Sequence, residues 1–211
     1  MSVLNEGIIV ILSSPSGAGK TTLVKKISNS KSFKISISHT TRTPRKNEND
    51  GLDYFFVSMD EFKKLISENK FLEYAKVFNN YYGSSKEKVI KSLEKGENVI
   101  FDIDWQGTEQ IKEKNLNYKI ITFFILPPSR EELYQRLLKR EFNETKVVNE
   151  RMNQFDKDVL KWKSYDFVVI NDDLKKCYNQ IIELIDKKIK GIEISNYNTV
   201  LIDEHVKKLL K

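Results

Sequence analysis

Short apolar segments alternate with longer segments of helical period along most of the chain. The apolar segments show no regular alternation with polar residues and are Ile8–Ser13, Asn98–Ile103, Lys119–Leu126 and Asp166–Ile170. Such segments are typical of parallel strands that are covered on both faces. Segments with apolar residues at helical spacing follow them and are Lys20–Asn29, Trp105–Lys114, Ser129–Arg140 and Asp172–Lys188. This order predicts an α/β fold with a parallel sheet flanked by helices.

The segment from residue 33 to residue 95 departs from this order. Its short alternating runs are Asp53–Val57 and Leu72–Phe78. Its segments of helical period are Met59–Glu68 and Ser85–Lys95. Alternation of apolar and polar residues is typical of strands with one exposed face. We therefore predict an insertion, residues 33–95, with a small mixed sheet of its own. The core of the domain would then consist of residues 6–32 and 96–188.

The pattern changes again after Lys188. Gly191–Thr199 is irregular, and Val200–Leu210 has the pattern of an amphipathic helix. The apolar face of that helix is formed by Ile202, Val206, Leu209 and Leu210. The sequence therefore predicts a C-terminal extension, residues 189–211, whose helix docks on its own domain or contacts a second copy. A monomer and a homodimer both stay open.

Composition excludes several classes of protein. Of the 211 residues 39% are hydrophobic, which is enough to build a core. The longest apolar run, Ile8–Leu12, is too short to span a bilayer, and the first residues lack the basic cluster of a secretory signal. The single cysteine, Cys177, excludes an internal disulfide and, at helical spacing with apolar residues, is expected in the core. We expect a soluble, cytoplasmic protein with no membrane partner.

The formal net charge of +6 by itself suggests an anionic partner. Only six of the 36 basic residues are arginine, namely Arg42, Arg45, Arg130, Arg136, Arg140 and Arg151. Because a planar guanidinium can bind phosphate through two parallel hydrogen bonds, these arginines are more informative than the lysines. No segment combines basic and aromatic residues in a nucleic-acid-binding motif, so nucleic acid is not the expected partner.

The first predicted strand leads into a glycine-rich loop and then into a helix. The loop fits most of the pattern G-x-x-x-x-G-K-[ST] and consists of Ser14, Pro15, Ser16, Gly17, Ala18, Gly19, Lys20, Thr21 and Thr22. Its amides would bind phosphate, Lys20 would reach the β- and γ-phosphates of a bound nucleotide, and the hydroxyl of Thr21 would bind Mg²⁺. Ser14 stands where the pattern has its first glycine. An ordinary glycine-rich turn is the alternative, but the flanking strand and helix favour the core of a P-loop NTPase.

A second candidate phosphate site lies between residues 36 and 57. Arg42 and Arg45 are three residues apart, hydroxyl side chains flank them, and Tyr54 follows in a predicted strand. Two guanidinium groups at this spacing could clamp a phosphate through charge-assisted hydrogen bonds. A basic loop on a solvated face has the same pattern, so the spacing alone leaves both interpretations open.

Two acidic residues follow another predicted strand. Asp102 and Asp104 end the run Asn98–Ile103, and ligands of open α/β sheets gather at the carboxyl ends of strands. Such carboxylates can support Mg²⁺ directly or through water, and the spacing does not decide which of them contacts the metal. For Asp104 the alternative is an N-cap of the helix that begins at Trp105.

Three of the arginines lie in a predicted helical lid, residues 136–151. Arg136 and Arg140 are four residues apart and share one helical face, and Arg151 is expected to open the next helix. The segment between them, Glu141–Glu150, is polar and poorly patterned, which favours a mobile lid.

Together these segments resemble the guanylate kinase family over about Glu6 to Lys188. Besides the phosphate loop, the resemblance rests on motifs in a fixed order, which are Ser38-x-Thr-Thr-Arg42-x-Pro-Arg45, Gly51-x-Asp53-Tyr54-x-Phe, Phe71-Leu-Glu73-Tyr, Tyr81-Tyr82-Gly83-Ser84, Asp102-Ile-Asp104-x-Gln-Gly107, Pro127-Pro128-Ser129 and Asn171-Asp172. The lid departs from the family at Glu141, where glycine is usual, and at Asn143, where an acidic residue is common.

The resemblance implies a site for each of two nucleotides. The residues implied to hold the 5′-phosphate of GMP are Arg42, Arg45, Tyr54 and Tyr82, and those implied to face its guanine edge are Ser38, Glu73 and Ser84. Asp104 would lie near GMP, and Asp102 would serve the metal. Asn171 and Asp172 would lie beside the adenine of ATP, although capping of the final helix is an equally good role for Asp172.

The implied reaction is transfer of the γ-phosphoryl group of MgATP to GMP, and to dGMP, in purine nucleotide metabolism. The residues implied to neutralise charge during transfer are Lys20, Arg42, Arg136, Arg140 and Arg151, with Mg²⁺ as the cofactor. Two alternatives are a related kinase with another phosphorylated acceptor and a guanylate-kinase-like protein-binding module without catalysis. The guanine-facing residues argue against the first, and the intact Lys20 argues against the second.

Overall fold

The structure, a computed structural model, describes residues 7–194 and 199–211. Its strands are β1 Ile9–Ser13, β2 Lys34–Ser36, β3 Ser38–Thr40, β4 Phe55–Phe56, β5 Phe71–Val77, β6 Asn80–Ser85, β7 Val99–Asp102, β8 Ile120–Leu126 and β9 Phe167–Ile170. Its helices are α1 Lys20–Lys31, α2 Met59–Ser67, α3 Lys86–Glu94, α4 Trp105–Glu113, α5 Arg130–Arg140, α6 Thr145–Asp158, α7 Leu174–Ile189 and α8 Thr199–Leu209. A 3₁₀ helix, Val159–Ser164, follows α6. The strands and helices predicted for the core are confirmed, with ends that differ by at most two residues.

Five strands form one sheet in the order β2-β7-β1-β8-β9. β2 pairs with β7 in parallel, with Lys34 opposite Val99, and β8 pairs with β9 in parallel, with Phe123 opposite Phe167. Every residue of β1 is buried, as expected for a strand covered on both faces. β2 was not predicted, because it is only three residues long and its first residue is exposed.

The predicted mixed sheet of the insertion is confirmed as four strands in the order β4-β3-β6-β5. β3 pairs with β4 in parallel and with β6 antiparallel, and β5 pairs with β6 antiparallel. A register shift between Phe71 and Glu73 marks an irregularity in β5. On this sheet the ring of Phe71 packs against Phe62 of α2, with ring centroids 4.6 Å apart.

Short polar side chains set the starts of five helices. Each accepts a hydrogen bond from a backbone N–H in the first turn, and they are Ser58 for α2, Ser85 for α3, Asp104 for α4, Ser129 for α5 and Asp173 for α7. Such N-caps satisfy amides that have no partner within the helix. The capping role predicted as an alternative for Asp104 is therefore confirmed, whereas the one for Asp172 is wrong, because α7 begins two residues later and is capped by Asp173.

The chain divides into two compact units, each with a hydrophobic core. The first unit contains the described residues up to Ile11 and Ser28–Ile120, and its core cluster includes Ile9, Ile11, Leu72, Val89, Leu93, Val99, Phe101, Ile103 and Ile111. The second unit contains Leu12–Ile27 and the described residues of Ile121–Lys211. Its core cluster includes Phe124, Leu126, Leu133, Leu137, Val148, Met152, Phe155, Val159, Trp162, Val168, Ile202, Val206 and Leu209. Cys177 is buried, as predicted.

The C-terminal helix α8 belongs to the core of the second unit. Ile202, Val206 and Leu209 are buried in its hydrophobic cluster, and the ring Nε2 of His205 lies 2.9 Å from the carbonyl oxygen of Pro127. The extension therefore docks on its own chain. The prediction for Leu210 is wrong, since this residue is 39% exposed. Part of the predicted irregular segment Gly191–Thr199, residues 195–198, lies outside the described residues.

Within the described ranges, none of the helices combines the length and apolar character that crossing a membrane requires.

Candidate functional site

The glycine-rich loop joins β1 to α1 and turns at two glycines with left-handed backbones. Gly17 has φ 92° and Gly19 has φ 95°, a region that side-chain-bearing residues rarely adopt. A Cβ at Gly17 would lie 2.9 Å from Leu133 Cδ1, and one at Gly19 would overlap the amide of Asn171. Ser14 is not among the residues with positive φ, so a Cβ at this position of the pattern is accommodated. The loop thus has the tight turn that a phosphate site needs.

Asn171 stabilises this loop through a buried hydrogen bond. It is 4% exposed, and its Nδ2 donates a hydrogen bond of 2.8 Å to the carbonyl oxygen of Ala18. Its own N–H donates to the carbonyl oxygen of Leu126 at the end of β8. Asp172, by contrast, is exposed, and its Oδ1 accepts a hydrogen bond from the N–H of Asp173.

Two arginines converge on the loop at Ser16. Its hydroxyl oxygen accepts hydrogen bonds of 2.8 Å from Arg140 and 3.1 Å from Arg151. The Oε1 of Glu141 lies 2.8 Å from the Nε of Arg140 and 3.1 Å from the Nε of Arg151. Two of the three predicted lid arginines are therefore placed together at the phosphate loop.

The other two arginines of the second unit have different contacts. Arg136 forms an ion pair with Glu132 and donates a hydrogen bond of 3.2 Å to the carbonyl oxygen of Asn171. Arg130, which had no predicted role, binds both carboxylate oxygens of Asp156 and the carbonyl oxygen of Leu209. Because these contacts join α5 to α6 and α8, Arg130 has a structural role.

The lid segment contains helix, as predicted, but its second helix begins earlier than expected. α6 begins at Thr145, so Arg151 lies inside this helix rather than at its start. The helix forms because Val148, Met152 and Phe155 recur at helical spacing and are buried on one face. Two of these residues lie beyond the segment whose pattern was considered, which explains the error.

In the first unit three polar side chains meet on the mixed sheet. Glu73 is 3% exposed, Ser84 is fully buried and Ser38 is 6% exposed. The Oγ of Ser84 donates a hydrogen bond of 2.5 Å to Glu73 Oε1, and the hydroxyl oxygens of Ser38 and Ser84 lie 3.4 Å apart. The pairing register brings them together, because Ser84 lies opposite Ser38 on β3 and opposite Glu73 on β5.

The N-terminus of α4 adjoins this cluster. A Cβ at Gly107 would overlap Oε2 of Glu73, so glycine leaves the space that the carboxylate occupies. The carboxylate of Asp104 accepts hydrogen bonds of 3.0 Å from the N–H of Gly107 and 2.9 Å from Gln106 Nε2. Asp104 therefore shapes the turn that faces Glu73.

Arg42 and Arg45 are held together by a glutamate that the sequence analysis did not single out. Glu48 Oε1 lies 2.8 Å from a terminal nitrogen of Arg42 and 3.4 Å from one of Arg45. Glu48 Oε2 accepts a hydrogen bond of 2.8 Å from the backbone N–H of Arg45. The signal in the sequence was the i,i+3 spacing of Arg45 and Glu48. Glu48 thus holds the two guanidinium groups of this loop close to each other.

The charges of this loop are mutually stabilised. Burial alone would lower the pKa of Arg42, but the hydrogen bonds with Glu48 and Tyr82 and the negative charge of Glu48 outweigh it, so the pKa is raised. Burial alone would raise the pKa of Glu48, but the N–H of Arg45 and the guanidinium of Arg42 lower it overall. Both partners therefore stay ionised at neutral pH.

Two tyrosines border the arginines. The rings of Tyr54 and Tyr82 lie 5.9 Å apart, and the guanidinium of Arg42 lies 5.4 Å from the ring of Tyr54. Burial, followed by the negative charge of Asp102, raises the pKa of the Tyr54 hydroxyl. This hydroxyl therefore stays protonated and can donate a hydrogen bond to an anion.

The predicted metal ligands lie at the ends of strand and loop. Asp102 is the last residue of β7 and is half-buried, while Thr21 lies in the first turn of α1 and is exposed. In the described part of the chain no three His, Cys, Asp or Glu side chains form a group that could hold a metal ion. Mg²⁺ in nucleotide sites needs no such cage, since phosphate oxygens and water supply most of its ligands.

Comparison with known proteins finds related sequences. The sequence model of the family described as Guanylate kinase matches residues 7–188. The guanylate kinase of Rickettsia prowazekii (strain Madrid E) is 50% identical over 188 residues, which are 88% of this chain and 93% of that protein. The guanylate kinase of Hyphomonas neptunium is 40% identical over 206 residues, 97% of this chain and 92% of that protein.

A solved structure is similar as well. The crystal structure of guanylate kinase from Anaplasma phagocytophilum has a TM-score of 0.72 and 31% sequence identity, and covers 87% of each chain. The residues that match the family model, 7–188, include the phosphate loop, both arginine pairs and the buried Glu73. The match to the Rickettsia prowazekii protein covers 88% of the chain. The chain belongs to the guanylate kinase family.

Proposed function

We propose that the protein transfers the γ-phosphoryl group of MgATP to the 5′-phosphate of GMP, which yields ADP and GDP. The observation that carries this proposal is the buried carboxylate of Glu73, hydrogen-bonded to Ser84 and close to Ser38. Family membership supports the same activity, because the relatives named guanylate kinase match over most of their length.

The guanine edge fits this cluster chemically. Guanine presents two adjacent donors, N1–H and the exocyclic amine, and one carboxylate such as that of Glu73 can accept from both. Its O6 needs a donor, which the hydroxyl of Ser38 or Ser84 supplies. Adenine has the reverse pattern and would leave a buried charge unpaired, which is costly. Sites of this kind discriminate by roughly 10⁴-fold or more.

The acceptor phosphate is proposed to lie against the arginine loop. Arg42 and Arg45 supply the charge, and Tyr54 and Tyr82 supply hydroxyl donors. The close approach of the two guanidinium groups to Glu48 supports the proposal, because an arginine pair that already shares one anion can share another. Asp104 would keep its place near GMP by capping α4.

The donor nucleotide is proposed to bind the second unit. The phosphates of ATP would lie on the loop of residues 14–22, with Lys20 at the β- and γ-phosphates. Asn171 would support the loop from below and, with Asp172, border the adenine. Arg136, Arg140 and Arg151 would neutralise charge on the transferred group.

No general base is required, because the acceptor is an ionised phosphate. The two histidines fit this view. His39 stacks on Phe55 at 4.9 Å between ring centroids, and His205 is bound to the carbonyl oxygen of Pro127. We therefore propose that catalysis rests on positioning and on cancellation of charge by Lys20 and the arginines.

Mg²⁺ is proposed to enter with ATP. The Thr21 hydroxyl and the Asp102 carboxylate are the side chains proposed to support it, directly or through water. The metal would offset the negative charge of the phosphates.

We further propose the domain organisation, the location and the oligomeric state of the protein. The predicted domain organisation has a core of residues 6–32 and 96–188, a GMP-binding insertion of residues 33–95 and a lid of residues 136–151. We propose a cytoplasmic location, since ATP and GMP are the substrates. We also propose that the chain acts as a monomer or homodimer without nucleic acid or membrane partners.

The proposal is tested by ADP release measured with GMP, dGMP, AMP, CMP and UMP as acceptors. We expect turnover with the guanine nucleotides and little with the others. Glu73→Gln should lower kcat/KM for GMP by about 10³-fold, because the amide repels one of the two guanine donors. Glu68→Gln, which removes an exposed carboxylate, is the matched control. Comparable turnover with AMP and GMP in the wild type would contradict the assigned base pocket.

A further inference from the structure

Glu141, the residue that follows α5, places its carboxylate against the two arginines at the phosphate loop. We propose that Glu141 occupies, in the nucleotide-free protein, the place on Arg140 and Arg151 that the terminal phosphate of ATP takes. Glu141 is then a positioning residue that sets the affinity for ATP. This inference rests on the proposed function, in which ATP binds the second unit.

The geometry of the carboxylate carries this inference. One oxygen, Oε1, lies 2.8 Å from Nε of Arg140 and 3.1 Å from Nε of Arg151. The side chain of Glu141 is 14% exposed and that of Arg151 is 16% exposed, so water screens their interaction only in part. A single oxygen shared by two guanidinium groups is the arrangement that a phosphate oxygen would have.

The same two guanidinium groups reach the loop itself. Arg140 and Arg151 donate to the hydroxyl oxygen of Ser16, at 2.8 Å and 3.1 Å. Ser16 lies next to Gly17, where the backbone of the loop turns with φ 92°. Glu141 therefore acts on groups that already lie at the phosphate loop.

The backbone holds the carboxylate in this position. The N–H of Glu141 donates to the carbonyl oxygen of Leu137 and ends α5, and the next residues, Phe142 and Asn143, have φ 51° and 65°. The N–H of Asn143 returns to the carbonyl oxygen of Leu138 at 2.9 Å. This turn is made by the backbone, since the ring of Phe142 is 84% exposed.

Two consequences follow for binding. The arginines are kept near Ser16 before ATP arrives, but their charge is already partly neutralised. A phosphate must displace the Glu141 carboxylate, so removing its charge should tighten the binding of ligands that reach both arginines. A ligand without the terminal phosphate should gain less.

The test is equilibrium binding of the β,γ-imido analogue of ATP and of ADP, each with Mg²⁺ and without GMP, to the full chain. Glu141→Gln should bind the imido analogue about fivefold more tightly than the wild type and ADP by less than twofold, as expected for loss of partly exposed ion pairs. Glu150→Gln is the matched control, because it removes an exposed carboxylate beside Arg151. Its affinity for both ligands should stay within about twofold of the wild type.

Equal or weaker binding of the imido analogue by Glu141→Gln would overturn the proposal, as would an equal gain for both ligands. If Glu141→Gln does not fold, Glu141→Gly serves in its place, because φ is −97° at this residue and the variant needs no new backbone conformation. GMP-dependent ADP release by the wild type is measured in parallel. Its absence would contradict the proposed function, whereas the binding difference concerns Glu141 alone.

Discussion

Each of the two units holds a pair of arginines with one glutamate, but the two arrangements have different origins. In the first unit Glu48 binds Arg42 and Arg45 within one loop and also accepts the backbone N–H of Arg45. In the second unit Glu141 binds its neighbour Arg140 and also Arg151, which lies on the next helix.

The difference indicates different roles for the two glutamates. Because Glu48 is bonded to the backbone, it shapes the loop that carries the two arginines proposed to bind phosphate. Glu141 joins two helices through its side chain, and the proposed phosphate of ATP would replace that ion pair. We therefore expect the first glutamate to support ligand binding and the second to oppose it.

The largest expected effect distinguishes the two arginine pairs, because one pair should affect kcat and the other the KM for GMP. Arg151→Ala should lower kcat by about 10³-fold, because the charge on the transferred group loses its partner, while the Kd for GMP stays the same. Arg42→Ala should instead act mainly by raising the KM for GMP. Steady-state kinetics and calorimetric titration with GMP measure both variants. The comparison fails if the two variants change the same constant.

The next effect concerns the packing on which the second pair depends. Ile202 is 8% exposed in the core cluster beneath α5 and α6. Ile202→Ala should lower the free energy of unfolding by about 2 to 4 kcal/mol, because it leaves a cavity. The neighbouring Leu201 is 60% exposed, so Leu201→Ala is the control and should change it little. Urea denaturation of both variants decides whether α8 is part of this core.

A smaller effect tests the opposite signs of the two glutamates. Glu48→Ala should weaken GMP binding by about tenfold, because Arg42 and the N–H of Arg45 lose a partner. Calorimetric titration with GMP measures it, and Glu68→Ala, at an exposed position, is the control. Tighter binding of GMP by Glu48→Ala would mean that both glutamates compete with phosphate, and the distinction between the units would be lost.

The smallest effect is a pH dependence confined to the first unit. Burial, followed by the charge of Lys88, lowers the pKa of His39 below its usual value, while Glu61 and Asp50 act in the other direction. The unfolded chain then binds the proton more readily, so stability is complete above about pH 6.5 and falls as the pH drops from there through the folded pKa.

Denaturation curves between about pH 8 and about pH 5 measure this slope, and His39→Gln should reduce it. An unchanged slope in that variant would show that other groups cause it.

Much of the fold could be predicted because its signals are local. Four apolar runs marked β1, β7, β8 and β9, and the buried faces of their helices repeat at helical spacing. The short strands β2 and β3 carry too few residues for a pattern and exist because neighbouring strands supply their hydrogen bonds. The start of α6 was missed because two of the three residues on its buried face, Met152 and Phe155, lie beyond the polar segment.

The residues of the site also differ in whether their signals are local in the sequence. The phosphate loop and the spacing of Arg42 and Arg45 were visible in the sequence, because a turn and a loop depend on neighbouring residues. The burial of Glu73 was not visible, because it depends on Ser84 from the adjacent strand and on the missing side chain of Gly107.

By itself the sequence determined the family and its motifs, namely a glycine-rich loop, the spacing of Arg42 and Arg45 and, through the family resemblance, the residues proposed to bind GMP. Only the tertiary structure decided what those groups touch before a ligand binds. Hydrogen-bonding capacity belongs to a residue type, whereas a partner such as Glu141 for Arg151 is selected by the way α5 packs against α6. The sixth arginine illustrates this, since Arg130 proved to join three helices.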